Sequence, residues 1–263
     1  MAVIPETAPA PASGAPRWRR FLTPWRSPAD QPAWARPALL AIAAVAAVGY
    51  GWGMAGASVE PFYGAAARSM SESWHDFIFA AFDPAGTVTV DKLPGALWVQ
   101  ALSLRIFGFH IWALVLPQVV EGVLTVLVLY RAVRRLAGPA AGLTAAAVLA
   151  VTPITVLLSR GNVSDSLLIL LLVLAADATS AALLTGSLRQ LLLVGVWVGL
   201  AFQAKMIQAW LALPALAAAY LLAAPAANCV PGGRTGETRV STDAQLILDA
   251  SQQSVRVWAE DEA

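Results

Sequence analysis

A succession of long stretches without a charged side chain limits what this chain can become more than any other feature. Residues 37–57 and 138–158 carry no Asp, Glu, Lys or Arg, residues 111–130 carry only Glu121, and residues 166–188 carry only Asp177. The run from Arg189 to Lys205 is bounded by bases that can snorkel towards two interfaces, and residues 206–224 are again uncharged. About 20 mostly apolar residues in a helix cross the roughly 30 Å of hydrocarbon in a bilayer. Six such segments predict an all-α fold, a polytopic membrane helical bundle of about six transmembrane helices. Of 263 residues 58% are hydrophobic and 13% charged, with mean hydropathy +0.66, which is more apolar side chain than one soluble core can hide. The apolar balance, the single cysteine (Cys229) and a net charge of +1 argue against disorder, a disulfide scaffold and a nucleic-acid binder.

The flanks differ in kind. Residues 1–36 hold five Arg, two acids and seven Pro, including PETAPAPASGAP, and predict a disordered cytoplasmic tail. The cluster Arg17, Arg19, Arg20 precedes further Pro-rich sequence, unlike a secretory signal. Residues 226–263, with three Arg against six acids, read as a polar cytoplasmic tail.

One segment decides the topology. Residues 94–109 are apolar but number only 16 and include Gln100 and Arg105. If they lie in the interface as a re-entrant or amphipathic helix, Arg17–Arg36, Arg131–Arg135 and Arg189 all fall on one side, as the positive-inside rule requires. The expectation is therefore a multi-pass plasma-membrane protein with a cytoplasmic N-terminus. Loop 58–110, the RGNVSD loop (160–165) and Lys205 then face outward.

The unusual chemistry sits in those outer segments. The stretch EPFYGAAARSMSESWHDFIF has near-helical apolar spacing and predicts an amphipathic juxtamembrane helix lying on the bilayer. A DPAG turn and a β-prone TVTV lead to Asp91-Lys92, an acid and a base side by side ahead of the interfacial helix. Asp91 could simply cap that helix while Lys92 meets lipid headgroups. Alternatively, the carboxylate orients a hydroxyl acceptor and the ammonium neutralises the phosphate of a lipid-linked donor. Arg160 and Lys205 would add phosphate contacts, and Asp165 would complete a cluster of two acids and three bases. His75 and His110, the only histidines, lie too far apart in sequence to suggest a metal site. Glu121 and Asp177, costly within spans, are expected to make bundle contacts.

These residues carry a resemblance. Tyr63 with AAARSM, SWHDF, FDPAG, TVTVDK, QALS, IFGFHIWAL and RAVRR, and above all VDKLP, VTPIT followed by RGNVSD, and FQAKMIQAW, are similar in order and spacing to the polyprenyl-phosphate-dependent glycosyltransferases of the GT-C superfamily. The YkcA/YkcB-type enzymes of Gram-positive bacteria look nearest, with aminoarabinose transferases and protein O-mannosyltransferases further off. The likeness covers roughly residues 37–224, and a GT-C-like transmembrane domain 37–225 is expected. It implies an all-helical bundle whose site lies on the outer face, and transfer of a sugar from polyprenyl phosphate to a hydroxyl on a cell-envelope glycan, lipid or protein. It implies Asp91, Glu60 and Asp165 as the catalytic carboxylates, with Glu60 near the position of the family's proposed base. Lys92, Arg160 and Lys205 would bind the donor phosphate. No cofactor is called for, a divalent cation being left open, and no metal ligand is assigned. Family members are longer, and the polar tail lies outside the likeness, so the chain reads as an N-terminal piece of such an enzyme, with its own activity in question. The competing expectation is a transporter or non-catalytic membrane protein, with Glu121 and Asp177 forming a mid-membrane polar path.

Overall fold

A computed structural model describes residues 25–223, apart from Ala29. It is a helical bundle, and among the described residues the only β pairing is an isolated bridge between Ala81 and Thr89. The helices are α1 (Ala35–Gly51), α2 (Pro61–Glu72), α3 (Trp74–Phe79), α4 (Gly95–Phe107), α5 (Ile111–Val151), α6 (Pro153–Ser159), α7 (Asp165–Thr185), α8 (Leu188–Lys205) and α9 (Leu213–Ala223). Short 3-10 turns occupy Met54–Gly56 and Met206–Ala212. Four continuous stretches are long and apolar enough to cross a membrane: Ala35–Gly56, Ile111–Val151, Asp165–Thr185 and Leu188–Ala223.

Two of those stretches double back on themselves. The 41 residues of α5 would reach about 60 Å if straight, twice a bilayer's apolar thickness. At Gly138, φ 82° takes the backbone out of the helix. Glycine enters this region without a Cβ clash, and Pro139 disfavours helical geometry in the residue before it. The return leg then runs beside the outgoing one. A Cβ on Gly142 would stand 2.9 Å from the carbonyl oxygen of Tyr130, so only a glycine lets the legs come this close. Further along, the Tyr50 hydroxyl donates to the carbonyl of Ala150 (3.2 Å) while its ring lies against Gly122. The second reversal follows Lys205: Leu216 of α9 packs on Ala175, Ala178, Val194 and Val198 of α7 and α8. The four stretches thus supply the six legs that the uncharged segments predict.

The packing is inverted relative to a water-soluble bundle. On α1, Ala43, Ala46 and Tyr50 are buried while Leu40, Val45 and Val48 are exposed. On α8, Ala201 and Ala204 are buried whereas Leu192, Val196 and Leu200 face outward. Lipid tails are as apolar as leucine, so membrane helices gain by placing small residues inward, where backbones approach closely, and large aliphatics outward.

Helix α4, with 13 residues and a length of about 20 Å, is too short to cross and packs between α2, α5 and α8. The expected amphipathic helix is two helices, split at Ser73, whose hydroxyl accepts from the Asp76 amide. It does not merely lie on lipid: Gly64, Ala66, Ala67, Ser69 and Met70 are buried, with Ala66 and Met70 packed on Leu97 and Ala101 of α4. Residues 25–28 and 30–34, placed by sequence in an unstructured tail, form turns on the bundle. Ser27 bonds both the Ala33 carbonyl and the Arg36 amide (3.0 Å each), and the Tyr130 hydroxyl donates to Gln31 (2.8 Å). The tail beyond residue 225 and the arginines 17, 19 and 20 lie outside the described residues.

Candidate functional site

Two kinds of end result. At one, the arginine end, Arg131 and Arg135 share the buried carboxylate of Asp177 (2.6 and 3.1 Å), and Arg134 pairs with Asp30 (3.0 Å). At the other, the loop end, lie the segments 52–64, 80–95, 160–165 and 205–212.

The close meeting of α4 and α8 builds the loop-end cluster. A Cβ on Gly95 would fall 2.7 Å from the Gln203 carbonyl oxygen, inside any real contact, so the start of α4 lies directly on the end of α8. Ala96, Ala201, Ala204 and Ala209 pack there with Leu168 and Leu171 of α7. These small residues draw together Asp91 and Lys92, just before α4, Asp165 at the first turn of α7, and Lys205 at the last position of α8. The Lys205 ammonium donates to Asp165 Oδ1 at 2.5 Å, and both side chains remain partly open to solvent. Immediately after Lys205, Met206 takes φ 52° and ψ −133°. Strained backbone at a non-glycine residue costs about 1–3 kcal/mol and persists only where surrounding packing holds it; here it ends α8 at the cluster.

Lys92 donates to the Tyr63 hydroxyl of α2, and its ammonium also lies 4.7 Å from the centre of that ring. The hydrogen bond to Tyr63, aided by the charges of Asp91 and Asp165, holds the Lys92 amine above its usual value against a partly opposing desolvation. Both carboxylates are therefore within electrostatic reach of Lys92. Asp91 is exposed, and no hydrogen bond engages its carboxylate among the described residues.

Glu60 and Arg160 sit differently. Glu60 precedes Pro61 at the start of α2 with an exposed side chain, and its backbone is clamped by Asn162: the Glu60 amide donates to Asn162 Oδ1 (2.6 Å), and Asn162 Nδ2 donates to the Glu60 carbonyl (3.0 Å). Asn162, 1% exposed, also accepts through its carbonyl from Gln100 of α4 (3.3 Å). Arg160 directs Nη1 to the Gly49 carbonyl at the end of α1 (3.2 Å) and packs beside Gly53. The structure thus gathers Asp91, Lys92, Asp165 and Lys205, holds Glu60 on the neighbouring helix start, and engages Arg160 with the α1 terminus. Tyr63 and Asn162 were not singled out for any role by sequence reasoning. Their partners lie 29 and 102 residues away, and the only local signal was their place within EPFY and RGNVSD. No group of three or more His, Cys, Asp or Glu suited to a metal occurs among the described residues.

A membrane-embedded helical bundle that presents two lysines and two carboxylates from separate segments at one end defines the class of protein. Residues 91–231 match the dolichyl-phosphate-mannose-protein mannosyltransferase family over more than half of the chain, and the chain belongs to that family. The match begins at Asp91 and includes Lys92, Arg160, Asp165 and Lys205; Glu60 and Tyr63 precede it. Two Bacillus subtilis proteins, YycA and YkcB, whose names assign them provisionally as mannosyltransferases, are 45% identical over 162 residues and 43% identical over 169. These alignments cover 62% and 64% of this chain and 24% of each relative, so the chain spans about a quarter of their length. No solved structure matches.

Proposed function

We propose that the protein is a GT-C membrane glycosyltransferase that moves a sugar from a polyprenyl-phosphate donor to a hydroxyl acceptor, with the loop end on the outer face of the plasma membrane. The relatives' names favour mannose. The observation that carries this reading is the meeting of Asp91, Lys92, Asp165 and Lys205 at one end of a membrane bundle of this family. The orientation follows from the arginines 131, 134 and 135 at the other end, which suit a cytoplasmic face.

In the proposed reaction, Lys92 and Lys205 face the donor phosphate and lower the cost of the negative charge that grows on it as the bond to the anomeric carbon breaks. Asp91, beside Lys92 and without a fixed partner among the described residues, accepts the acceptor's hydroxyl proton as oxygen attacks that carbon from the opposite side. One C–O bond forms, the other breaks, the configuration inverts, and polyprenyl phosphate leaves. Asp165 positions Lys205. Glu60 is the second candidate base and Arg160 an outer phosphate contact. In the transporter reading, Glu121 and Asp177 would share a path. Asp177 instead bonds Arg131, ten residues and about 15 Å along α5 from Glu121.

The test is incorporation of radiolabelled mannose from polyprenyl-phosphate mannose by membranes holding this chain. Lys92→Ala and Asp91→Asn are each expected to lower incorporation about 100-fold, while the parent is active. Full activity in both variants would remove the cluster from the chemistry, and no incorporation by the parent, even when extended to the length of its relatives, would count against the transferase.

A further inference from the structure

A cavity of about 330 Å³ opens at the arginine end, between the first turns of α1 and the middle of α5, and the transfer chemistry makes no use of it. Its polar rim is built from Arg36, Arg131 and Arg134, and its wall from Leu39 and Leu127, with the 25–34 turns closing one side through Pro28 and Gln31. The two helices run antiparallel here, so Leu39 on α1 and Leu127 on α5 both lie about one turn deeper in the bundle than Arg36 and Arg131. The cavity therefore grades from cationic at the membrane edge to aliphatic further in.

The charges do not cancel. Asp177 is shared by Arg131 and Arg135, and Asp30 is taken by Arg134, so among the described residues these two carboxylates meet the guanidiniums of Arg36, Arg131, Arg134 and Arg135. No side-chain partner binds the Arg36 guanidinium, and Arg134 Nε is buried without a hydrogen bond, both among the described residues. A guanidinium holds phosphate through paired N–H donors, and an aliphatic wall beside it suits an acyl chain rather than water.

We infer that this cavity binds the headgroup of an anionic phospholipid from the leaflet at the arginine end, its phosphate on Arg36 and Arg134 and the start of an acyl chain along Leu39 and Leu127. Such a lipid would neutralise the surplus guanidinium charge and fasten the 25–34 turns to α5. The site is separate from the sugar-transfer cluster and stands whether or not transfer occurs.

The test is native mass spectrometry of the full chain released from vesicles of equal phosphatidylglycerol and phosphatidylcholine. The wild type is expected to retain phosphatidylglycerol at least fivefold over phosphatidylcholine. Arg36→Gln should lower that preference about fivefold, the factor that one base near an anionic surface supplies. Leu127→Trp, which keeps every charge and fills the wall, should also lower retention. Equal retention of both lipids by the wild type, or displacement of phosphatidylglycerol by millimolar inorganic phosphate, would overturn the inference. The second outcome would mark a site for free anions. Should either variant fail to fold, the wild-type comparison and the phosphate competition still decide.

Discussion

The two ends of the bundle use the same kinds of charged side chain to different effect. At the arginine end the buried carboxylate of Asp177 is gripped by two guanidiniums, and Gly138 and Gly142 turn α5 tightly beside them. At the loop end Lys92 rests on a phenol rather than a carboxylate, Asp91 is exposed, and the Lys205–Asp165 pair remains partly open to solvent. A buried carboxylate that two guanidiniums grip, as Asp177 is, holds helices together. Open charges held by backbone contacts, as Gly95 on Gln203, are arranged for a partner that the bundle does not itself supply.

Substitution at Gly95 should disturb the loop end most. Gly95→Val forces a side chain into the Gln203 carbonyl and separates Lys92 from Lys205. Overpacking of this kind costs about 1–3 kcal/mol, and a shift of about 1 Å among reacting groups costs about 100-fold in rate. Mannose incorporation per folded molecule should fall by that factor; a variant that keeps full activity would deny that the contact sets the site. Asp177→Asn should do the reverse. Losing charge-assisted bonds to Arg131 and Arg135 should lower stability by about 2 kcal/mol in a denaturation midpoint, while activity per folded molecule stays at the parent level.

Tyr63→Phe removes the hydroxyl that holds the Lys92 amine above the usual lysine range, so its pKa falls. Because Lys92 must be cationic to face phosphate, the alkaline limb of the pH–rate profile should move to lower pH, with only a few-fold loss at neutral pH. The sign for stability follows: a raised amine pKa stabilises the fold below the ordinary lysine value, and that contribution is lost as pH rises past the folded value. Solvent screening of the partly exposed Lys92 keeps this contribution small. An unmoved alkaline limb would show that Tyr63 does not tune Lys92.

Much of the fold was legible because bilayer crossing leaves a crude and lengthy signature. The uncharged runs mark the legs, and the positive-inside distribution of the arginines marks the short α4 segment as non-spanning. What escaped depended on tertiary contact. The split at Ser73 and the burial of Gly64 and Ala66 against α4 are indistinguishable in sequence from a helix floating on lipid, since both need one apolar face. At the site, Asp91, Lys92, Asp165 and Lys205 were placed together by topology and resemblance. Arg160 is assigned to the same cluster by topology and resemblance, yet a guanidinium reaches several ångströms, and the Gly49 carbonyl lies within its grasp. Tyr63 and Asn162 are uncharged, and nothing in composition separates a tyrosine under a lysine from one anchoring an interface.

In the proposed reaction Lys92 and Lys205 receive the phosphate of a polyprenyl lipid. The most direct measurement is retention of polyprenyl phosphate by the full chain in native mass spectrometry, for the parent, Lys92→Ala, Lys205→Ala and the double variant. Retention by the parent is expected, with about tenfold loss in each single variant and none detectable in the double. Equal retention by all four would contradict that role.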